Sequence, residues 1–273
     1  MDGEVARFVD ELLPNREFPT LQALLDAGPA ALAQVTAAAA AADSPGAPVK
    51  DLAFSSAVIA PPAVLAVGLN YDEHASELKL DNESGPVLFA LFPNSLNGHN
   101  RPVPIPERLT AEVDYEGELG VIIGTAARNV SAEEALDHVF GYTVVNDLTA
   151  RDIQFREPQW SRCKSFDGFT PVGPVVVTRD EIPDPQALGI TTDVGELRVQ
   201  DSTTGFMIRS IAELIATLSQ SLTLLPGTLI STGSPGGAGR SRKPPLYLVP
   251  GSEVTVTIEK IGALTSYCVP EEG

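Results

Sequence analysis

In the segment Glu112-Val113-Asp114-Tyr115-Glu116-Gly117-Glu118-Leu119, every second residue is acidic. Alternate side chains of a β-strand share one face, which sets these carboxylates about 7 Å apart along it. Like charges on one face repel, and burying them uncompensated is prohibitive. The face is therefore either bathed in water, as on a solvated edge strand, or turned toward a cation. Two features favour the cation. The segment runs directly into the apolar Leu119-Gly120-Val121-Ile122-Ile123, and a further acid, Asp147, ends the apolar run Gly141-Tyr142-Thr143-Val144-Val145-Asn146. Carboxylates with water suit Mg²⁺, Mn²⁺ or Ca²⁺, and the lack of neighbouring His or Cys argues against zinc.

Other residues have the chemistry to work beside such an ion. His74 and Glu77 are three apart and share a face if helical, where a carboxylate would orient the imidazole as a base; taken alone, His74 reads as an ordinary surface residue. Lys164 lies in a largely uncharged stretch, suited to neutralising carboxylates or holding an oxyanion, or simply to solubilising the surface. Arg151 and Gln154 follow Asp147 by four and seven, stacking all three if a helix begins there. Arg151 would then grip a substrate carboxylate while Gln154 donates a hydrogen bond, the alternative being a plain salt bridge for the arginine. Gly233-Ser234-Pro235-Gly236-Gly237 offers backbone N–H groups to an anion. Ser234 is not a hydrolase nucleophile, because the G-x-S-x-G spacing is absent.

The elements that must position these groups are mostly strands: Val64–Leu69, Leu119–Gly124, Phe140–Asp147, Val172–Thr178, Gly227–Gly233, and Glu253–Ile261 continuing through Leu264–Val269. Ser131-Ala132-Glu133-Glu134 and Ser210-Ile211-Ala212-Glu213 are capping boxes that start helices. The first sixty residues differ. Leu21–Leu25 and the alanine run 37–42 read as helices broken at Gly28-Pro29 and Ser44-Pro45-Gly46, and Pro61-Pro62 marks a boundary. The expected organisation is a small, partly helical region 1–60 and a catalytic domain 61–273, of β-rich α+β class.

Composition limits the partners. The chain has 36 Asp+Glu against 18 Lys+Arg, a net charge of −18, which repels nucleic acid and anionic membrane alike. No apolar run approaches the length of a transmembrane helix. The opening residues lack a basic region followed by an apolar stretch. Cys163 and Cys268 form no disulfide framework and read as small buried side chains. A cytoplasmic protein is expected.

Taken together, the motifs resemble the fumarylacetoacetate hydrolase family. Gly68-Leu69-Asn70-Tyr71, His74 and Glu77 are similar to its G-x-N-Y-x-x-H-x-x-E signature, and the acidic segment to its D-Y-E-x-E-L element. Residues 146–154 resemble N-D-x-T-A-R-D-x-Q, and residues 164–174 resemble K-S-x-D-x-F-x-P-x-G-P. The likeness continues through Gln200, Thr204 and Met207 to Thr232-Gly233-Ser234-Pro235 and Gly262, with Ser234 where the family usually has Thr. It spans residues 61–269.

The resemblance implies a mixed β-sandwich roll, usually a homodimer, with Glu116, Glu118 and Asp147 as ligands of Mg²⁺ or Mn²⁺ (Ca²⁺ as a substitute) and Asp114 as a neighbour. A mobile segment around Glu73–Gly85 would carry the His74/Glu77 pair. Catalysis would rest on His74, Glu77 and Lys164, and substrate binding on Arg151, Gln154, Gly233 and Ser234. The implied reaction is hydrolysis of a β-diketo (acylpyruvate-type) acid, with His74, oriented by Glu77, activating water and the metal stabilising the enolate. Oxaloacetate-type decarboxylation, isomerisation of an unsaturated 2-oxo acid, or an inactive metal-binding scaffold fit the same residues. Loops Lys79–Val87 and Phe155–Arg162 would set the substrate.

Overall fold

Runs of valine, isoleucine and leucine set the architecture of the computed structural model, which describes residues 5–14, 18–43, 45–78 and 86–272. The central strand Gly117–Ile123 is buried at every position, as is expected of a strand covered on both faces. It lies in a seven-stranded mixed sheet. The spatial order is Val87–Ala90, Val64–Gly68, Leu229–Ser231, Gly117–Ile123, Val139–Asn146, Thr170–Thr178 and Leu96–Asn97. The second sheet has five strands, in the order Leu197–Thr203, Gly189–Val194, Glu253–Ile258, Gly262–Pro270 and Arg101–Ile105.

Alternation along the central strands divides the core. Leu119, Val121 and Val144 point into a cluster with Ile190, Val256, Ile258 and Leu264 of the second sheet. Ile122 and Val145, on the opposite face, pack with Val64, Val172 and Leu229, and this second cluster also takes in Leu25 from the helix Leu21–Asp26. The helix Ile211–Ser221 starts at the Ser210 capping box and buries Ile211, Leu214, Ile215 and Leu218 against the first cluster. Its i, i+3, i+4, i+7 spacing is that of an amphipathic helix on a core. Ser131 likewise caps a helix, Ala132–Ala135. The fold is α+β and β-rich.

The acidic segment is not one strand. Val113–Asp114 pairs antiparallel with Thr149–Ala150, and the long strand begins only at Gly117. At the break, the Asn146 side-chain oxygen accepts the Glu116 N–H at 3.1 Å and Gln200 Oε1 accepts the Gly117 N–H at 2.9 Å. The expected alignment of four carboxylates on one face is therefore corrected, because side chains capture the backbone groups that would have continued the ladder. Gly117 must be glycine here, since a Cβ would lie 2.3 Å from Thr192 Oγ1 of the second sheet. The break turns Glu116 inward beside Glu118.

Candidate metal centre and active site

Glu116, Glu118 and Asp147 each place a carboxylate oxygen within 4.8 Å of the others. All three are buried, with Asp147 1 % exposed. Each comes from a different local device. Glu118 sits on the central strand, and its Oε2 accepts from Ser231 Oγ at 2.6 Å and from the Gly233 N–H at 2.8 Å. Glu116 sits at the strand break. Asp147 follows the end of Val139–Asn146 and donates its own N–H to Glu116 O at 2.9 Å.

Lys164, from the short helix Ser161–Lys164, enters this cluster. Its Nζ donates to Glu116 Oε2 at 2.5 Å, Asp147 Oδ2 at 2.7 Å and Thr149 Oγ1 at 2.8 Å. An ammonium has three donors, so all are engaged. Of the three roles open to Lys164, neutralising carboxylates is the one these contacts realise.

Arg151 is completely buried. Its Nε donates to Asp114 Oδ2 at 2.8 Å and its Nη1 reaches Glu116 Oε1 at 2.7 Å and Gln154 Oε1 at 2.9 Å. It thus braces the acids and is not among the described residues lining the cavity, while its Nη2 is buried with no hydrogen-bond partner among the described residues. The expected helical stack of Asp147, Arg151 and Gln154 is corrected as well. Residues 149–150 are extended against Val113–Asp114, so the helix is only Arg151–Gln154 and excludes Asp147. Gln154 does line the cavity. Asp114 further accepts from the Gly239 and Arg240 N–H groups at 2.8 and 3.1 Å, tying the loop after Gly233 to the arginine.

The helix Asp72–Leu78 brings His74 to the cluster, where its Nε2 lies 3.3 Å from Glu116 Oε1. His74 Nδ1 is buried and has no hydrogen-bond partner among the described residues. Glu77 does not orient it. The Glu77 carboxylate instead accepts the Gly237 N–H at 2.9 and 3.0 Å and the Ala238 N–H at 3.3 Å. The glycine-rich loop thus donates its amides to the chain's own carboxylates, at Glu77, Asp114 and Glu118. Ser234 lines the cavity and accepts from Gln200 Nε2 at 2.8 Å. Part of the segment expected to move, residues 79–85, lies outside the described residues, as does much of the substrate loop Lys79–Val87.

Electrostatics tests the fit of a cation. Four buried acids, Asp114, Glu116, Glu118 and Asp147, face two buried bases, Arg151 and Lys164. Two negative charges are left over if all are ionised, and one oxygen of Asp147, Oδ1, has no partner. That is the donor set and charge that Mg²⁺ or Mn²⁺ takes. Without an ion, protons compensate. Burial, then the neighbouring Asp147 and Glu116, push the Glu118 carboxyl well up, and burial with Glu116 pushes Asp147 to about 6 against the pull of Lys164. Burial raises Glu116 too, but Lys164, Arg151 and His74 overcome it and hold that carboxyl well below the usual range.

Sequence reasoning did not assign Asp114, Thr149 or Ser231 these contacts, nor Phe89 and Trp160 their place on the cavity wall. Thr149 and Asp114 lie within the family-like motifs, but their partners Lys164 and Arg151 are 15 and 37 residues away and leave no local signal.

Fold and site together define an enzyme of the fumarylacetoacetate hydrolase class. The family model "Fumarylacetoacetate (FAA) hydrolase C-terminal" matches residues 63–269, and the chain belongs to that family. Among solved structures, it is similar to a provisionally assigned HpcE protein from Mycobacterium smegmatis, 36 % identical, covering 99 % of this chain and 95 % of that one at a TM-score of 0.89. That coverage includes the N-terminal region. A fumarylacetoacetate hydrolase from Exiguobacterium antarcticum is 41 % identical over 80 % of this chain and 78 % of its own (TM-score 0.74). A 2-hydroxyhepta-2,4-diene-1,7-dioate isomerase from Mycobacterium marinum is 35 % identical over 83 % and 81 % (TM-score 0.72). Among the described residues, no helix is long and apolar enough to cross a membrane.

Proposed function

We propose that the protein is a divalent-metal-dependent hydrolase that cleaves a carbon–carbon bond in a β-diketo, acylpyruvate-type acid. One observation carries this reading: three buried carboxylates within 4.8 Å of one another, with an imidazole 3.3 Å from one of them. Glu116, Glu118 and Asp147 would hold Mg²⁺ or Mn²⁺, which supplies Lewis-acid polarisation to the carboxylate and 2-oxo end of a substrate.

The chain's own groups supply the proton chemistry. His74 places Nε2 3.3 Å from Glu116 Oε1 and leaves Nδ1 without a hydrogen-bond partner among the described residues; donating from Nε2 to Glu116 would leave the Nδ1 lone pair for a general base to use. His74 would take a proton from a water attacking the distal carbonyl, contributing about 10²–10⁴ in rate. Glu116 rather than Glu77 sets the tautomer. Lys164 and Arg151 hold the acids in place, and Gln154 and Ser234, on the cavity wall, would position substrate oxygens.

The cavity over the carboxylates is about 10 Å³, room for roughly one water. Substrate entry therefore requires a wall to move. The helix Asp72–Leu78, held to the glycine-rich loop by Glu77, is the element whose release would open it. A cytoplasmic homodimer acting on small 2-oxo acids completes the proposal.

A second reading, isomerisation of an unsaturated 2-oxo acid, is favoured by the M. marinum relative; His74 would then move a proton between carbons. Acetylpyruvate, fumarylpyruvate and oxaloacetate assayed with and without EDTA decide the matter. EDTA-sensitive release of acetate and pyruvate from acetylpyruvate is expected. Absence of turnover across a broad panel of 2-oxo acids would overturn the enzyme reading and leave a metal-binding scaffold.

A further inference from the structure

The cavity above the carboxylates is lined by two kinds of residue: the acids with His74 and Lys164, and the apolar Val67, Gly68, Leu69, Phe89 and Trp160. They adjoin at Phe89, whose ring centroid lies 5.3 Å from the Lys164 ammonium. The indole of Trp160 packs edge-on to Phe89, with ring centroids 5.6 Å apart at 67°, a favourable aromatic geometry.

The backbone is shaped around that indole. A Cβ at residue 68 would lie 2.5 Å from Trp160 Cζ3, so only glycine admits the ring. Leu69, next in sequence and packed on Trp160, adopts φ +57 while buried. Left-handed backbone is costly for a bulky residue and is retained where surrounding structure imposes it. The apolar side is thus a built surface.

Charge on that side is equally telling. Among the described residues lining the cavity, Lys164 is the single cation, and its three donors are already engaged. Arg151 lies behind the acids, fully buried and bonded to Asp114, Glu116 and Gln154. Arg162, two residues beyond Trp160, is paired with Glu157. None of the described residues lining the cavity offers an unengaged cation to a second carboxylate at the far end of a substrate, which would meet the indole instead, and an unpaired charge against an apolar wall is strongly disfavoured. An alkyl or acyl tail would bury apolar surface there.

Resting on the 2-oxo-acid reading of the metal site, we infer that the pocket selects 2-oxo acids whose distal end is apolar and uncharged, and that Trp160 is the residue that determines this specificity. The ligands of choice are neutral-tailed acids rather than dioates.

The test is equilibrium binding to the Mg²⁺-loaded protein by calorimetry, using 2-oxopentanoate and 2-oxoglutarate. These have the same chain length and differ in the distal carboxylate. The wild type should bind 2-oxopentanoate tighter by roughly tenfold or more, and the difference should shrink in Trp160→Ala and reverse in Trp160→Arg. Because the wild-type comparison stands alone, a poorly folding variant does not spare the inference. Equal or tighter binding of 2-oxoglutarate by the wild type would overturn it while leaving the 2-oxo-acid site intact. Binding of neither acid, with Mg²⁺ bound, would overturn both.

Discussion

The ammonium of Lys164 and the carboxylate of Glu116 meet at 2.5 Å with both side chains buried. The same nitrogen reaches Asp147 at 2.7 Å, so one cation holds together two of the three clustered acids. Removing one member of a buried pair leaves an uncompensated charge and costs about 3–5 kcal/mol. Lys164→Met should therefore lower the melting temperature of the metal-free protein markedly. Added Mg²⁺ should recover more of the loss than it adds to the wild type, because the ion then answers charge that nothing else does. Scanning calorimetry with and without Mg²⁺ measures both; an unchanged metal-free melting temperature would show that the lysine is not what keeps the acids together.

Glu116→Ala and Asp147→Ala should abolish Mg²⁺ binding and turnover, while His74→Ala should keep the metal affinity and lose turnover by about 10²–10⁴. Titration calorimetry separates the two groups. Unchanged affinity in Glu116→Ala would sink the ligand assignment.

How far the site was legible in the sequence follows from what spacing encodes. Period-two acids flowing into an apolar run located Glu116 and Glu118, and an acid at the end of a second apolar run located Asp147. The capping boxes placed two helices, since the signal and the structure are both local. Contacts across the chain were not legible. The capture of the Glu116 and Gly117 amides by Asn146 and Gln200 breaks the acidic strand, and those partners lie 30 and 83 residues away. Helical spacing made Glu77 the obvious partner of His74, yet the amides of a loop 160 residues further on compete for it and win. Trp160 carried no signal of its own until Gly68 and Leu69 were seen to be shaped around it.

Protons and metal should compete visibly. In the metal-free protein burial pushes Asp147 to about 6 and Glu118 well up, so a cation must displace protons to bind. Mg²⁺ affinity should fall as pH drops through about 6, with proton release measurable by calorimetry in buffers of different ionisation enthalpy. The stability of the metal-free protein has a definite sign. An aspartate whose folded value is raised binds more protons folded than unfolded, so stability is lost as pH rises from its unfolded value near 3.8 to about 6 and is level above that. Asp147 alone contributes a change on the order of 3 kcal/mol. Denaturant titrations at stepped pH should show this decline in the metal-free protein. A metal affinity that does not change between pH 5 and 7 would contradict the assigned proton load.

Glu77 offers a sharper test, because two roles for it predict different measurements. If it oriented His74, Glu77→Gln would displace the acid limb of the pH–rate profile. Its carboxylate instead accepts the amides of Gly237 and Ala238, which makes it a latch between the helix Asp72–Leu78 and the loop behind the cavity. Charge-assisted bonds to backbone N–H groups are stronger than neutral ones, so Glu77→Gln should keep part of the latch and Glu77→Ala none. Amide hydrogen exchange in residues 72–78 should accordingly rise in the order wild type, Gln, Ala. The KM should rise by about tenfold in Glu77→Ala, the loss of roughly 1.4 kcal/mol of closed-state stabilisation, with the pH–rate profile of both variants unmoved. A displaced acid limb together with unchanged exchange would return Glu77 to His74 and remove the latch.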